Sequence, residues 1–242
     1  MKRMRRLLAL VSLSIACASV PRRDDPVGLY GSPDGGVLEL HRSPHGILRG
    51  HLRSGSRVAA LAPVEVRGAA LHALATYDDG SRAELSASLG SEYVRKAAEA
   101  PAGEAVRREI VESYARLGRA VDTKDYAAFQ ALRLPEFATI PPDGPPKVAA
   151  QMADRARGLL ERIQPPITNT NDILELTVRG EDALATVRQK FRRKQVVGDH
   201  LEEIYTEVTQ RETWTRTPDG WKLAFVDEVR DAATWREGQR VK

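Results

Sequence analysis

Cysteine is nearly absent: Cys17 stands alone in 242 residues, so no disulfide can form within the chain. Long apolar runs are equally scarce. Beyond the first twenty residues none is long enough to span a bilayer as a helix. The familiar signatures of chemistry are missing too. There is no glycine-rich phosphate loop, no paired-cysteine metal motif and no activated nucleophile with its base in a recognisable spacing. An excess of one charge is more apparent than real. The formal net charge is +4, with 37 Lys+Arg against 33 Asp+Glu, but Lys2, Arg3, Arg5 and Arg6 all fall in the first six positions. Without those four, basic and acidic residues balance. A neutral folded part offers no basic patch for nucleic acid, and that class of partner is set aside.

What is present at the N-terminus is an address. Lys2, Arg3, Arg5 and Arg6 form a basic segment, and Leu-Leu-Ala-Leu-Val-Ser-Leu-Ser-Ile-Ala follows, an apolar run too short for a membrane span. Its end, Ser14-Ile15-Ala16-Cys17, resembles the lipobox of bacterial lipoproteins, in which the cysteine is lipidated and becomes the new N-terminus. Ala16-Cys17-Ala18 also satisfies the small-x-small rule of an ordinary signal peptidase. Both readings take the protein out of the cytoplasm. The expectation is a signal peptide over residues 1–16, lipidation at Cys17, a polar tether over 17–26, and a bacterial cell-envelope location, periplasm-facing and lipid-anchored, or else periplasmic or secreted.

From residue 27 to 95, short alternating runs are punctuated by turn residues such as Gly35-Gly36, Gly46, Gly55, Gly68 and Asp79-Gly80, the pattern of an antiparallel meander. This predicts a small all-β module. His41, His45, His51 and His72 sit in it on different strands and turns with no tight pair spacing, so the sequence marks no metal site there. Residues 96–103 are small, polar and Pro/Gly-bearing, and they read as a linker between two separately ordered pieces.

Residues 104–121 place Val106, Ile110, Tyr114, Leu117 and Val121 at helical steps, an amphipathic stripe. Asp122-Thr123-Lys124-Asp125 supplies capping residues for a short helix over 126–132. A short strand over 137–140 and a third helix over 147–163, stopped by Pro165-Pro166, come next. Residues 172–230 read as three consecutive long β-strands, ending in a hairpin at Pro218-Asp219-Gly220. There proline presets φ, Asp bonds its own backbone and glycine accepts positive φ. Residues 233–242 are left as a C-terminal tail.

Tyr114 on the first helix, the Asp122-Thr123-Lys124-Asp125-Tyr126 corner, the Gly180-Glu181-Asp182-Ala183 turn, and Glu212-Thr213-Trp214 with Asp219-Gly220-Trp221-Lys222-Leu223 together carry a resemblance. Residues 105–232 resemble the nuclear transport factor 2-like superfamily, most closely its SnoaL-like branch. The resemblance implies an α+β fold: a curved, mostly antiparallel sheet wrapped round three helices into a cone with an internal pocket. Members include isomerase-like, cyclase-like and dehydratase enzymes as well as proteins that only bind ligands or dimerise, so the fold does not select the function.

Alternation sorts candidate pocket residues. Ala183, Ala185, Val187, Gln189 and Phe191 share one face. Trp221, Leu223, Phe225, Asp227 and Val229 share another. Ile204, Val208, Gln210, Glu212 and Trp214 form a third set. Candidate ligand-binding residues are therefore Tyr114, Gln189, Trp214, Phe225 and Asp227. Two hypotheses stand. In the first, the protein is non-catalytic, and the cone binds a small apolar ligand or supports a homodimer without a cofactor. In the second, Asp227 acts with Tyr114 or Gln189 as an acid/base lyase or isomerase on a small apolar carbonyl compound, because a phenol and a carboxylate in an apolar cone can handle a proton beside a carbonyl. The pKa of Asp227 discriminates: raised if it faces the cone, depressed if it pairs with an arginine such as Arg211.

Overall fold

The computed structural model describes residues 25–43, 46–95, 103–141 and 144–241. The signal segment, Cys17, His45 and most of the expected linker lie outside these residues. No described helix is long and apolar enough to cross a membrane.

The N-terminal part is a meander of β1 (Gly28–Gly31), β2 (Val37–Arg42), β3 (Leu48–Ser54), β4 (Arg57–Arg67), β5 (Ala70–Tyr77) and β6 (Arg82–Ser88), closed by the two-residue β7 (Val94–Arg95). Each of β2 to β6 pairs antiparallel with its predecessor, and β7 returns beside β1. One face of this sheet curls round its own apolar core, including Tyr30, Leu38, Leu40, Leu61 and Leu71. The other face is buried as well, which is why all of Val37–His41 is inaccessible to solvent.

Three helices follow: α1 (Gly103–Asp122), α2 (Tyr126–Ala131) and α3 (Ala149–Arg162). The stripe expected on α1 is the buried one, with Val106, Ile110, Tyr114 and Val121 in the core. Asp125 caps α2 by accepting from the Ala128 amide at 2.9 Å, which satisfies one of the orphan donors of a helix start. The short strand β8 (Arg133–Thr139) and β9 (Lys147–Val148) lie between α2 and α3.

Where three long strands were expected there are four: β10 (Ile163–Arg179), β11 (Asp182–Val197), β12 (His200–Thr217) and β13 (Gly220–Arg236). The first begins at once after α3 and carries Pro165 and Pro166, tolerated because β10 is a sheet edge. The sheet order is β10-β11-β12-β13-β8-β9, with β13 and β8 parallel and the rest antiparallel. The hairpin at Gly220 has the expected positive φ of 101°. The residues assigned to a tail instead extend the sheet, since β14 (Gln239–Val241) pairs back onto β13.

This sheet wraps α1, and Val106, Ile110, Tyr114, Phe137, Val178, Val187, Trp214, Trp221, Leu223 and Val226 fill the space between them. The architecture is the sheet-rich α+β cone expected for the C-terminal part. Its outer face packs on the meander. Val58 sits with Leu134, Ala138, Ile140, Ala224 and Phe225 in one apolar cluster, and Arg53 pairs with Glu136 at 3.2 Å across the junction.

Candidate functional site

Strict alternation breaks down on β13, and bulges are the reason. Trp214 faces Leu223 while Thr213 faces Phe225, so Ala224 is an extra residue. A one-residue insertion sends every later side chain to the opposite face. Further shifts flank Thr209, and Glu228 and Asp231 take positive φ of 45° and 52°. As a result Phe225 and Asp227 do not share the cone face with Trp221 and Leu223. They point the other way, beneath the meander.

Tyr114, Gln189 and Trp214 do lie on the cone face. The carboxylate that meets Tyr114 and Trp214 is Glu212, which is 2% exposed. Tyr114 donates a short hydrogen bond to Glu212 Oε2. Trp214 Nε1 donates to the same oxygen at 2.9 Å, and Gln210 Nε2 donates to Oε1 at 2.7 Å. Tyr114 and Trp214 also stack edge to face at 5.3 Å. Burial holds the Glu212 carboxyl above its usual range despite these three donors. It pushes the Tyr114 phenol well up too, helped by the neighbouring Glu212 charge. Gln189 is farther along the cone and donates to Asn171 Oδ1 at 3.1 Å. It does not touch the Tyr114–Glu212 pair through any hydrogen bond, and Asp227 is not part of this group.

Asp227 belongs to a second polar cluster at the junction. β2 and β3 are neighbours in which Glu39 faces His51 and His41 faces Arg49, so these four side chains share one side of the meander. Across from them, β12 and β13 present Arg211 and Asp227 as a direct cross-strand pair. Arg211 Nε lies 3.2 Å from Asp227 Oδ1, and the same guanidinium forms a short ion pair with Glu39. His51 Nε2 is 2.9 Å from Glu39 Oε2, and its Nδ1 is 3.3 Å from Asp227 Oδ2. Thr213 donates to Glu39 Oε2 at 2.8 Å. His41 Nε2 lies 3.2 Å from Glu228 and 3.9 Å from Asp227.

Burial alone would raise the Asp227 pKa, but Arg211 and His51 outweigh it and hold the carboxyl far below the normal range. The environment is that of a buried ion pair, not of a proton-handling cone. Burial likewise opposes charge on His51, yet Glu39 and Asp227 together raise it to about 9. His41, desolvated and near Arg211, drops to about 4.

A groove of about 620 Å³ opens beside this cluster, and its lining includes His41, Asp227 and Glu228 together with Leu61, Leu74 and Ile140. Gly50 is required there: a Cβ would collide with the Glu39 carbonyl oxygen. The sequence pattern carries no sign of this junction. Glu39 and His41 alternate with Leu38 and Leu40, which reads as an ordinary wet face, and only the cone packed on top makes that face buried. His72 stays apart, exposed on β5 with Ser86 at 3.1 Å.

Residues 105–227 match the SnoaL-like domain family. The chain belongs to that family. The match falls within the 105–232 span that the sequence resemblance marked. Among curated proteins none matches the chain. Solved structures similar to the SnoaL-like domain include a putative dehydratase of the NTF2-like family from Streptomyces avermitilis, 16% identical over 52% of this chain and 95% of that one, with a TM-score of 0.43. Another is an NTF2-like superfamily protein from Salmonella enterica, 21% identical over 51% and 89%, TM-score 0.40. A third is the hexachlorocyclohexane dehydrochlorinase LinA-type3 from Novosphingobium barchaimii, 14% identical over 57% and 96%, TM-score 0.42.

Proposed function

We propose that this is an exported, lipid-anchored protein of the bacterial envelope that binds a small apolar ligand between its SnoaL-like domain and the meander without transforming it. The observation that carries this reading is the state of the Glu212 carboxylate. It already accepts from Tyr114, Trp214 and Gln210, and apolar side chains pack round it, so this acid/base pair of the cone serves packing. An acid or base must reach the proton that it moves, and Glu212 and Tyr114 are 2% and 7% exposed. Ligand binding is instead assigned to the groove between meander and cone, where Leu61, Leu74, Ile140 and Val229 give an apolar wall and His41, Arg49 and Arg230 a polar rim. This volume suits a small organic molecule.

Anchoring through Cys17 supplies the membrane partner, since a multiply acylated terminus holds where one chain alone does not. Homodimerisation enters the proposal through the far end of the sheet, where Val196 and Leu201 form an exposed cross-strand apolar pair. Native mass spectrometry of the mature protein tests the ligand, and sedimentation equilibrium tests the dimer. A ligand-bearing species, displaced by added apolar compounds, is expected. Catalytic turnover in a screen of enolisable and dehydratable compounds, abolished by Glu212→Gln, would overturn the non-catalytic reading.

A further inference from the structure

The junction cluster has the layout of a metal centre. A four-coordinate ion with bonds of 2.0–2.1 Å to nitrogen and oxygen sets its ligand atoms about 3.3 Å apart. His51 Nδ1 and Asp227 Oδ2 are 3.3 Å apart, and His41 Nε2 and Glu228 Oε1 are 3.2 Å apart. The wider edge, from His41 Nε2 to Asp227 Oδ2, is 3.9 Å, and donor atoms of His41, His51 and Asp227 all fall within 4.8 Å of one another. Small side-chain rotations bring such a set to bonding distance. His51, 1% exposed, and Asp227, 4% exposed, are held by strands of two different sheets.

Three further observations point the same way. His51 Nδ1 and Glu228 Oε1 are buried, and each faces a group that can itself ligate, Asp227 at 3.3 Å and His41 at 3.2 Å. Glu39 stands behind His51 at its other nitrogen, 2.9 Å away. It is itself fixed by Thr213 and Arg211. A carboxylate behind a histidine sets the tautomer, frees the opposite nitrogen and raises its basicity toward a metal. Charge is the third. Three carboxylates, Glu39, Asp227 and Glu228, surround Arg211 and two histidines. A dication that displaces the His51 proton to solvent balances those three charges together with the Arg211 guanidinium.

We propose that His41, His51 and Asp227 bind one divalent transition-metal ion of the zinc class. Two imidazoles and one carboxylate favour zinc and its neighbours over magnesium or calcium, which prefer all-oxygen sets. The groove gives the ion a route from solvent, because His41, Asp227 and Glu228 line it. The ion would tie β2 and β3 of the meander to β13 of the cone. This site does not depend on an apolar ligand in the groove, and metal alone tests it.

The test uses the mature full chain, stripped with a chelator and titrated with Zn²⁺ by calorimetry and with Co²⁺ by visible absorption. Expected are one ion per chain, the intense bands of four-coordinate Co²⁺, and a rise in melting temperature of about 5–10 °C at saturating Zn²⁺. His41→Ala and Asp227→Asn should each weaken binding at least about tenfold. His72→Ala should leave it unchanged. Should either buried variant lose its circular dichroism spectrum, His41→Gln, which keeps the volume, replaces it. Failure of the folded wild-type chain to bind Zn²⁺ tighter than about 10 µM, or equal binding by folded His41→Gln, overturns the proposal.

Discussion

Single-group changes at the cone's buried carboxylate and its phenol donor separate hydrogen bonding from charge. Tyr114→Phe deletes one donor to Glu212 and keeps the ring against Trp214. Hydrogen bonds to a charged group contribute about 1.5–3 kcal/mol. Trp214 and Gln210 remain on the carboxylate, so a loss of about 2 kcal/mol is expected, or roughly 4–8 °C in melting temperature for a chain of this size. Glu212→Gln retains every contact: its carbonyl oxygen takes over the bonds from Tyr114 and Trp214, and its amide faces a turned-over Gln210. Only charge is lost. Burial holds the Glu212 carboxyl above its unfolded value, so its stability contribution is complete below the unfolded pKa of about 4.3 and is lost as pH rises through the folded one. Glu212→Gln should therefore match wild type near pH 4 and melt higher at pH 7 to 8. Added to the Glu212→Gln variant, Tyr114→Phe should cost only about 1 kcal/mol, because the acceptor is then neutral. Thermal melts of the four proteins from pH 4 to 8 give the answer. A Glu212→Gln variant that falls further below wild type as pH rises would refute the reasoning.

Asp227→Asn in the metal-free protein leaves Arg211 with Glu39 alone and takes one of two carboxylates from His51. Breaking a buried pair of this kind costs about 3 kcal/mol, so a denaturant midpoint that does not move at pH 7 would show the pair to be solvated. Phe225→Ala empties the apolar seam between meander and cone, where the ring lies 4.5 Å from His51. The expected loss is about 3–4 kcal/mol by chemical denaturation, with α1 and its core packing kept. Cys17→Ser should move the protein from the detergent phase to the aqueous phase on partitioning, and identical partitioning of both forms would favour ordinary cleavage at Ala16-Cys17-Ala18. Limited proteolysis should nick residues 97–103 first. Early cleavage inside β10 to β13 would place the boundary elsewhere.

Much of the cone was legible because its signals are local. The stripe on α1, the Asp125 cap and the Gly220 turn each follow from a few neighbouring residues. The face of β13 was not legible, because the extra residue at Ala224 reverses alternation without any glycine to mark it. That slip put Asp227 in the cone and hid Glu212, although Glu212 already shared parity with Trp214. The junction was less accessible still. Glu39, His41 and His51 meet Arg211 and Asp227 across more than 150 positions of sequence, and neither half alone carries the signal. Pairing of β2 with β3 brings two histidines of ordinary spacing onto one face.

The location of binding is tested most directly with an apolar fluorescent probe on two variants. Thr76→Trp places an indole in the junction groove, which Thr76 lines. Gln189→Leu alters the cone face and leaves the groove untouched. Thr76→Trp should lower probe affinity at least about tenfold, the equivalent of 1.4 kcal/mol, while Gln189→Leu should bind as wild type does. Undiminished binding by Thr76→Trp together with loss in Gln189→Leu would contradict binding in the groove and return the ligand to the cone.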